Sequence, residues 1–255
     1  MNNYLMRTIL YSLVLFSAFY GNSSAGELAA QLAWSKRLVL STTVTGVVDK
    51  VMVSPGQRLK KGSVLLNLDA REFKARLDEA VAGQLAAKTT YAEAKREMSR
   101  SQDLFERTML SDHDLQVVKN KEMQAKAAYL KARAKLQLAE IALERSRIQA
   151  PYNCVVLDVL AQPGLTVLSN LRPEPLAVVA EAGRMIARAW LPAAELGKFA
   201  TIRAQQVSVA KQKFAVVSQN IMPEANDKGL FALDVIFASD GSKLRAGQAA
   251  SIIFP

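Results

Sequence analysis

The chain has one cysteine, Cys154, and one histidine, His113, in 255 residues. A single thiol excludes an intrachain disulfide framework and any cysteine-based metal site. A single imidazole excludes a histidine-based catalytic triad or a multi-histidine metal site within one chain. Aromatic residues make up only 7%, and they do not interleave with the basic residues as stacking platforms for bases would. Proline is absent from 71 to 107, where Gly83 is the one glycine, and neither occurs from 112 to 147. Turns are thereby excluded from most of both stretches. No glycine-rich loop ends in the Lys-Ser/Thr pair of a phosphate cradle, since Gly56 and Gly62 are followed by Gln57 and Ser63. The net charge of +10 does not point to nucleic acid either. Its lysines and arginines crowd the central third, mixed with Glu and Asp at helical spacing, as on a solvated helix face. No enzymatic activity, cofactor, metal or nucleic-acid partner is expected.

The first 25 residues read as a targeting segment. Arg7 precedes the largely apolar run Ile9 to Tyr20, and Ser23-Ser24-Ala25 offers small residues for cleavage. Twelve residues are short for a membrane span of roughly 30 Å, so cleavage after Ala25 is expected, with a retained anchor as the alternative. Residues 26–43 are left as an N-terminal segment.

What is present is an internal repeat. A shift of 108 residues lays Gly46-Val47-Val48 on Cys154-Val155-Val156, Val51 on Val159, and Pro55-Gly56 on Pro163-Gly164. Each copy carries β-branched runs about a Pro-Gly turn, which predicts short strands. In the first copy Val64, Leu66 and Leu68 alternate onto one face, as a half-buried strand requires. Halves at 44–70 and 148–180 are expected to form one small β-sandwich, although about 80 residues separate them. The insert, 71–147, must then return the chain to its start.

It has the pattern to do so. One seam runs Phe73, Leu77, Ala80, Gln84, Ala87, Tyr91, Ala94, Met98, Ser101, Phe105. A second runs Leu115, Val118, Glu122, Ala125, Tyr129, Ala132, Leu136, Ala139, Leu143, Ser146. Spacing of three and four is that of a coiled-coil seam. Folding about a turn near residue 110 sets Leu77 opposite Leu143, Tyr91 opposite Tyr129 and Phe105 opposite Leu115. The predicted antiparallel hairpin is about 55 Å long at 1.5 Å per residue. At its tip Arg100 and Leu104 lie four residues apart on one exposed stripe. Ser111 with Asp114 resembles a capping box opening the second helix. Asp69, Glu72, Asp78 and Glu79 read as charges favoured by the dipole at a helix start, not as an acid–base pair. The fold class is therefore mixed α and β, a small β-sandwich interrupted by a coiled-coil hairpin.

These residues resemble the periplasmic adaptor, or membrane fusion, proteins (HlyD-like, including the adaptors of resistance-nodulation-division, RND, efflux pumps). Gly46, Gly56 and Gly62, followed by Val64-Leu65 and Leu68-Asp69, look like the first lipoyl half-motif of that family. Arg147-Ile148-Gln149-Ala150-Pro151 resembles the re-entry into the second half, where Gly164 marks the matching turn. Arg100, Leu104 and Ser111 match the spacing RxxxLxxxxxxS, which in the family docks a TolC-type outer-membrane channel. The resemblance covers about residues 40–255. The resemblance implies a small β-barrel over residues 181–255, following the sandwich and hairpin; its weaker matches there are Leu191-Pro192-Ala193-Ala194-Glu195-Leu196 and Leu244-Arg245-Ala246-Gly247-Gln248. It implies a non-enzymatic adaptor subunit of a tripartite export or efflux system, in the periplasm beside the inner membrane. It also implies a homo-oligomer of six copies joining an inner-membrane transporter to the channel. Two departures stand out. Cys154 replaces the family's usual glycine, and the sequence ends at Pro255 where adaptors of RND pumps carry a membrane-proximal domain. Rival readings are a lipoyl or biotin carrier, whose modified lysine turn is here replaced by the hairpin, and a structural coiled-coil spacer.

Overall fold

A computed structural model describes residues 26–169, 173–239 and 244–255; residues 1–25, read above as a targeting segment, lie outside the described residues. The chain divides into two compact units, one spanning Arg37–Ala180 and the other combining Glu181–Pro255 with the residues up to Lys36.

In the first unit, strands β2 (Arg37–Leu40), β3 (Gly46–Val51), β4 (Arg58–Leu59) and β5 (Val64–Leu68) precede two long helices. Strands β6 (Arg147–Gln149), β7 (Cys154–Val159), β8 (Thr166–Val167) and β9 (Ala177–Glu181) follow them. The two sheets have the orders β2-β9-β7-β4 and β6-β5-β3-β8. The repeat copies therefore do not each supply a sheet. Each sheet takes its two central strands from one copy and its edges from the other side of the insert, the edge β2 lying just upstream of the first copy. Hydrogen bonds repeat with the sequence shift: Gly56 N donates to Val156 O and Gly164 N to Val48 O, both at 2.8 Å. Likewise Val156 N donates to Gln57 O at 2.9 Å and Val48 N to Leu165 O at 2.8 Å. Interleaving leaves neither half with a complete sheet of its own.

Two apolar clusters fill this unit. Val48, Leu66, Leu68, Phe73, Val167 and Leu176 form one. Leu65, Ala150, Cys154, Val156 and Val179 form the other. Strand β5 feeds both, because Leu65 is as buried as Leu66. Leu66 and Leu68 share the first cluster as alternation requires, but β5 is not the half-buried strand expected: Val64 is only half-buried, and Leu65 fills the second cluster from the other face.

Helices α1 (Arg71–Glu106) and α2 (Asp112–Arg145) form the antiparallel hairpin. Arg147, assigned above to the insert, is instead the first residue of β6. Among the described residues of α1 and α2, all the seam positions given above are buried or half-buried, and nearly every other position is exposed. A two-helix rod buries only one narrow stripe per helix, so most seam side chains remain partly open. The root is fastened by side chains. Asp69 Oδ1 accepts from Arg71 N at 3.0 Å, which makes Asp69 the functional cap of α1. Thr42 Oγ1 donates to Arg145 O at 3.0 Å, and Leu68 N donates to Ser146 O at 2.8 Å, so carbonyls at the end of α2 find partners.

The second unit is a closed six-stranded antiparallel barrel, β1-β10-β13-β12-β11-β14. Its strands are β1 (Glu27–Trp34), β10 (Arg184–Pro192), β11 (Gln206–Val209), β12 (Gln212–Ala225), β13 (Leu230–Ala238) and β14 (Ala249–Ile253). Residues 181–255 do not close it alone. β1 pairs with β10 from Gln31 to Trp34 and with β14 from Glu27 to Gln31. The stretch 26–43 is thus no independent segment: β1 belongs to the barrel and β2 to a sheet of the first unit. Without β1, strands β10 and β14 would each expose an unpaired edge. Leu32, Met185, Leu191, Leu233, Phe237 and Ile252 fill the interior. Arg188 meets the buried Asp234 with two bonds, 2.7 and 2.6 Å, across β10 and β13. The short helix α3 (Leu196–Thr201) is held by Gln219, which donates to Phe199 O and Ile202 O and accepts from Ala204 N.

Candidate functional site: the hairpin tip

At the far end of the hairpin the seam closes with Ser101, Phe105 and Leu115; Ser101 and Leu115 are 4% and 7% exposed. Residues 107–111 make the turn. Thr108 takes a left-handed φ of 57°, and Met109 N donates to Leu104 O at 2.9 Å. Ser111 is the N-cap of α2. Its Oγ accepts from Asp114 N at 3.2 Å and donates to the Asp114 carboxylate at 2.6 Å. The reciprocal half of a capping box is absent from this pattern: Asp114 takes the Ser111 hydroxyl rather than its backbone N–H. Arg100 Nη2 donates to Glu97 Oε2 at 2.7 Å and reaches Glu93 Oε1 at 3.5 Å. Its guanidinium is therefore poised on the helix surface by two carboxylates, in water-exposed pairs of small energetic weight.

The three tip residues named from the sequence are all exposed, but their surroundings differ. Arg100 is tied back along α1, Ser111 is spent on its helix cap, and Leu104 is 41% exposed beside the turn. Sequence reasoning missed Met109, which at 71% exposure is the most open of the large hydrophobic side chains among the described residues. Its signal was the apolar pair Met109-Leu110 in the otherwise polar stretch between two helices. An exposed Leu and Met on a rigid, capped turn can bury area against a partner; they offer no nucleophile, acid or base.

Along the rod, Tyr91 stacks on Tyr129 with ring centroids 5.8 Å apart and planes 12° off parallel. Leu77, Met98, Leu136 and Leu143 are half-buried along the same seam. At the base, Gly56, Gly62 and Gly164 have φ of 87°, 82° and 88°, values that disfavour any side chain. Gly46 is needed for space instead: a Cβ there would lie 3.2 Å from Leu68 Cδ1 and 3.6 Å from the Phe73 ring. Cys154, its repeat partner, faces the cluster that has no helix root against it. There the thiol is fully buried, and burial pushes its pKa up.

No family model matches the sequence. The structure superposes on the membrane fusion protein Spr0693 from Streptococcus pneumoniae with a TM-score of 0.68, over 90% of this chain and 98% of that one, at 14% identity. It also superposes on a MacA–MexA chimera containing the Pseudomonas aeruginosa MexA α-hairpin domain, with a TM-score of 0.63 over 89% of this chain and 79% of that one, at 19% identity. This is the membrane fusion protein fold. Sequence relatives agree with it. Multidrug resistance protein MdtA of Escherichia coli is 30% identical over 115 residues, 45% of this chain and 28% of MdtA. An uncharacterized protein of Haemophilus influenzae is 33% identical over 115 residues, 45% of this chain and 26% of that protein. The matches thus span about a quarter of these relatives' own length.

Proposed function

We propose that this chain is a non-enzymatic periplasmic adaptor of a tripartite export or efflux system. It would join an inner-membrane transporter to a TolC-type outer-membrane channel. In this reading residues 1–25 are a Sec-type signal peptide, and the two-sheet unit, with halves at 44–70 and 148–180, is a lipoyl-like domain without a cofactor. The hairpin of α1 and α2 is the reaching arm, and the barrel of 181–255 is completed by Glu27–Trp34. Six copies would set their hairpins side by side, with Arg100, Leu104 and Ser111 at the channel end. Many weak identical tip contacts then add through multivalency, so no single interface has to be large.

The observation that supports this most is the hairpin itself. Helices of 36 and 34 residues interrupt a pair of small sheets and end in an exposed apolar turn. Nothing in the sheets' own packing requires an arm of that length. Leu104→Asp is expected to abolish export while leaving secretion and the helical circular-dichroism signal unchanged. Unimpaired export in that variant would refute the tip role.

A further inference from the structure

The turn of the hairpin contains no residue type that stops a helix. Neither proline nor glycine occurs from Gln84 to Ala150. Between the end of α1 at Glu106 and the start of α2 at Asp112 stand Arg107, Thr108, Met109, Leu110 and Ser111. Arg, Met and Leu are among the better helix formers. The reversal sets Thr108 at a left-handed φ of 57°, a conformation that costs a β-branched residue more than most. The seam also runs through the turn. Counting in sevens from Phe73 meets Ser101 and Thr108 and lands on Leu115 and Leu143, so one seam position of α1 stays in phase into α2. Its companion shifts by a single residue between Phe105 and Val118. A straight helix over residues 71–145 would therefore keep a nearly continuous apolar stripe.

The parts that the turn joins are incomplete without each other. Before it lie β3 and β5, whose outer neighbours β8 and β6 come after it. Likewise β1 precedes the turn, and the strands it pairs with, β10 and β14, follow. We propose that two copies of this chain exchange halves about the turn. Residues 107–111 become helical, and α1 and α2 of each chain straighten into one rod about 110 Å long at 1.5 Å per residue. The two rods lie antiparallel, with Tyr91 of each chain on Tyr129 of the other. Everything from β1 to α1 of one chain then pairs with everything from α2 to β14 of its partner.

No new surface is needed, since every seam, ladder and core contact is one already made within a single chain. What changes is the turn. Two left-handed threonines are relieved per pair. The turn N–H groups take helical partners in place of the bonds from Thr108 N to Phe105 O and from Met109 N to Leu104 O. Against this, the Ser111 cap is given up, and dilution opposes the joining of two chains. The single-chain hairpin therefore holds at low concentration. Short connections under strain are those that invite exchange. An exchanged pair has no hairpin tip, because Leu104 and Met109 then lie in mid-rod, so it is a state apart from the bridging role proposed above. The inference does not rest on that role.

The test refolds the full chain from denaturant at low and at high protein concentration and weighs the products by light scattering. A dimer is expected whose share grows with the concentration during refolding and which persists on dilution, since return requires unzipping both rods. Two variants, Ala87→Cys and Ala132→Cys, are then refolded together and oxidised afterwards, when Cys154 is buried. The two positions face each other along the seam, one step from the Tyr91–Tyr129 stack. A disulfide between the two variants is expected in the dimer, whereas two closed hairpins lying side by side leave each new thiol opposite its own chain's alanine. Thr108→Gly suits the turn and disfavours the helix. It should lower the dimerisation constant about tenfold for each turn, and so about a hundredfold per dimer. Thr108→Ala should raise the dimer share. Monomer at every concentration would overturn the proposal, as would a dimer without the cross-link or one indifferent to both changes at Thr108.

Discussion

Gly46→Ala tests how the hairpin root is joined to the sheets. The backbone at Gly46 is not left-handed, so alanine is tolerated conformationally, and the cost comes from space. The added methyl meets Leu68 Cδ1 at 3.2 Å, Leu68 Cβ at 3.5 Å and the Phe73 ring at 3.6 Å. Leu68 and Phe73 are 1% and 6% exposed, so neither swings out of the way. Overpacking of this kind costs about 1–3 kcal/mol. Losing glycine's freedom in the unfolded chain offsets about 0.4–1 kcal/mol. A net loss of about 1–2 kcal/mol is expected. Leu68→Ala alone should cost about 2–5 kcal/mol through its cavity. In the double variant the methyl introduced by Gly46→Ala occupies part of that hole, so the two costs should fall short of additive by about 1 kcal/mol or more. Denaturant titration separates the units by probe. Circular dichroism at 222 nm follows α1 and α2, whereas Trp34 and Trp190 both belong to the barrel strands and report there by fluorescence. The dichroism midpoint should move and the fluorescence midpoint should not. An unshifted Gly46→Ala, or costs that simply add, would refute the proposed contact.

Three further outcomes follow from local chemistry. Cys154 should resist thiol reagents in the native protein and react once denaturant is added, because it is fully buried with a raised pKa. Asp69, drawn from 3.8 down to about 2 by its hydrogen bonds to Arg71, contributes stability above its unfolded value that is lost as pH falls through about 2. Asp69→Asn should therefore lower the dichroism midpoint at about pH 5 and have little effect near pH 2. Arg188→Met strands the Asp234 carboxylate at 1% exposure and should destabilise the barrel by about 3 kcal/mol, read by tryptophan fluorescence. Asp234→Leu in the same chain should recover much of that loss.

The hairpin was the most legible element. Ten seam positions in α1 and nine in α2, with Ser146 as the C-cap, follow one spacing, and Pro and Gly are nearly excluded, so local pattern and tertiary pairing say the same thing. The repeat was legible through its Pro-Gly turns. The exchange of edge strands was not, because two- to four-residue edges such as Arg58–Leu59 or Arg37–Leu40 carry too little pattern to name their partner. β1 was hidden for another reason. Glu-Leu-Ala-Ala-Gln-Leu-Ala-Trp is alanine-rich and lacks β-branched residues, so only closure of the barrel makes it a strand. At the tip, the places of Arg100, Leu104 and Ser111 were readable from spacing. That Ser111 is occupied as a cap and that Met109 is the most open large hydrophobic side chain among the described residues emerges only from the fold.

The interleaved sheets also bear on how the chain can fold. β5 stops at Leu68 and its neighbour β6 starts at Arg147, so the first copy gains that edge only after the whole insert has emerged. A flexible tether of that length would cost about 4 kcal/mol in closure entropy beyond a constant. A zipped rod brings its own two ends together, and its contacts are made progressively from the nearby turn. The arm is then the clasp that lets distant edges meet, and loosening the Tyr91–Tyr129 stack midway along it should slow assembly of sheets it never touches.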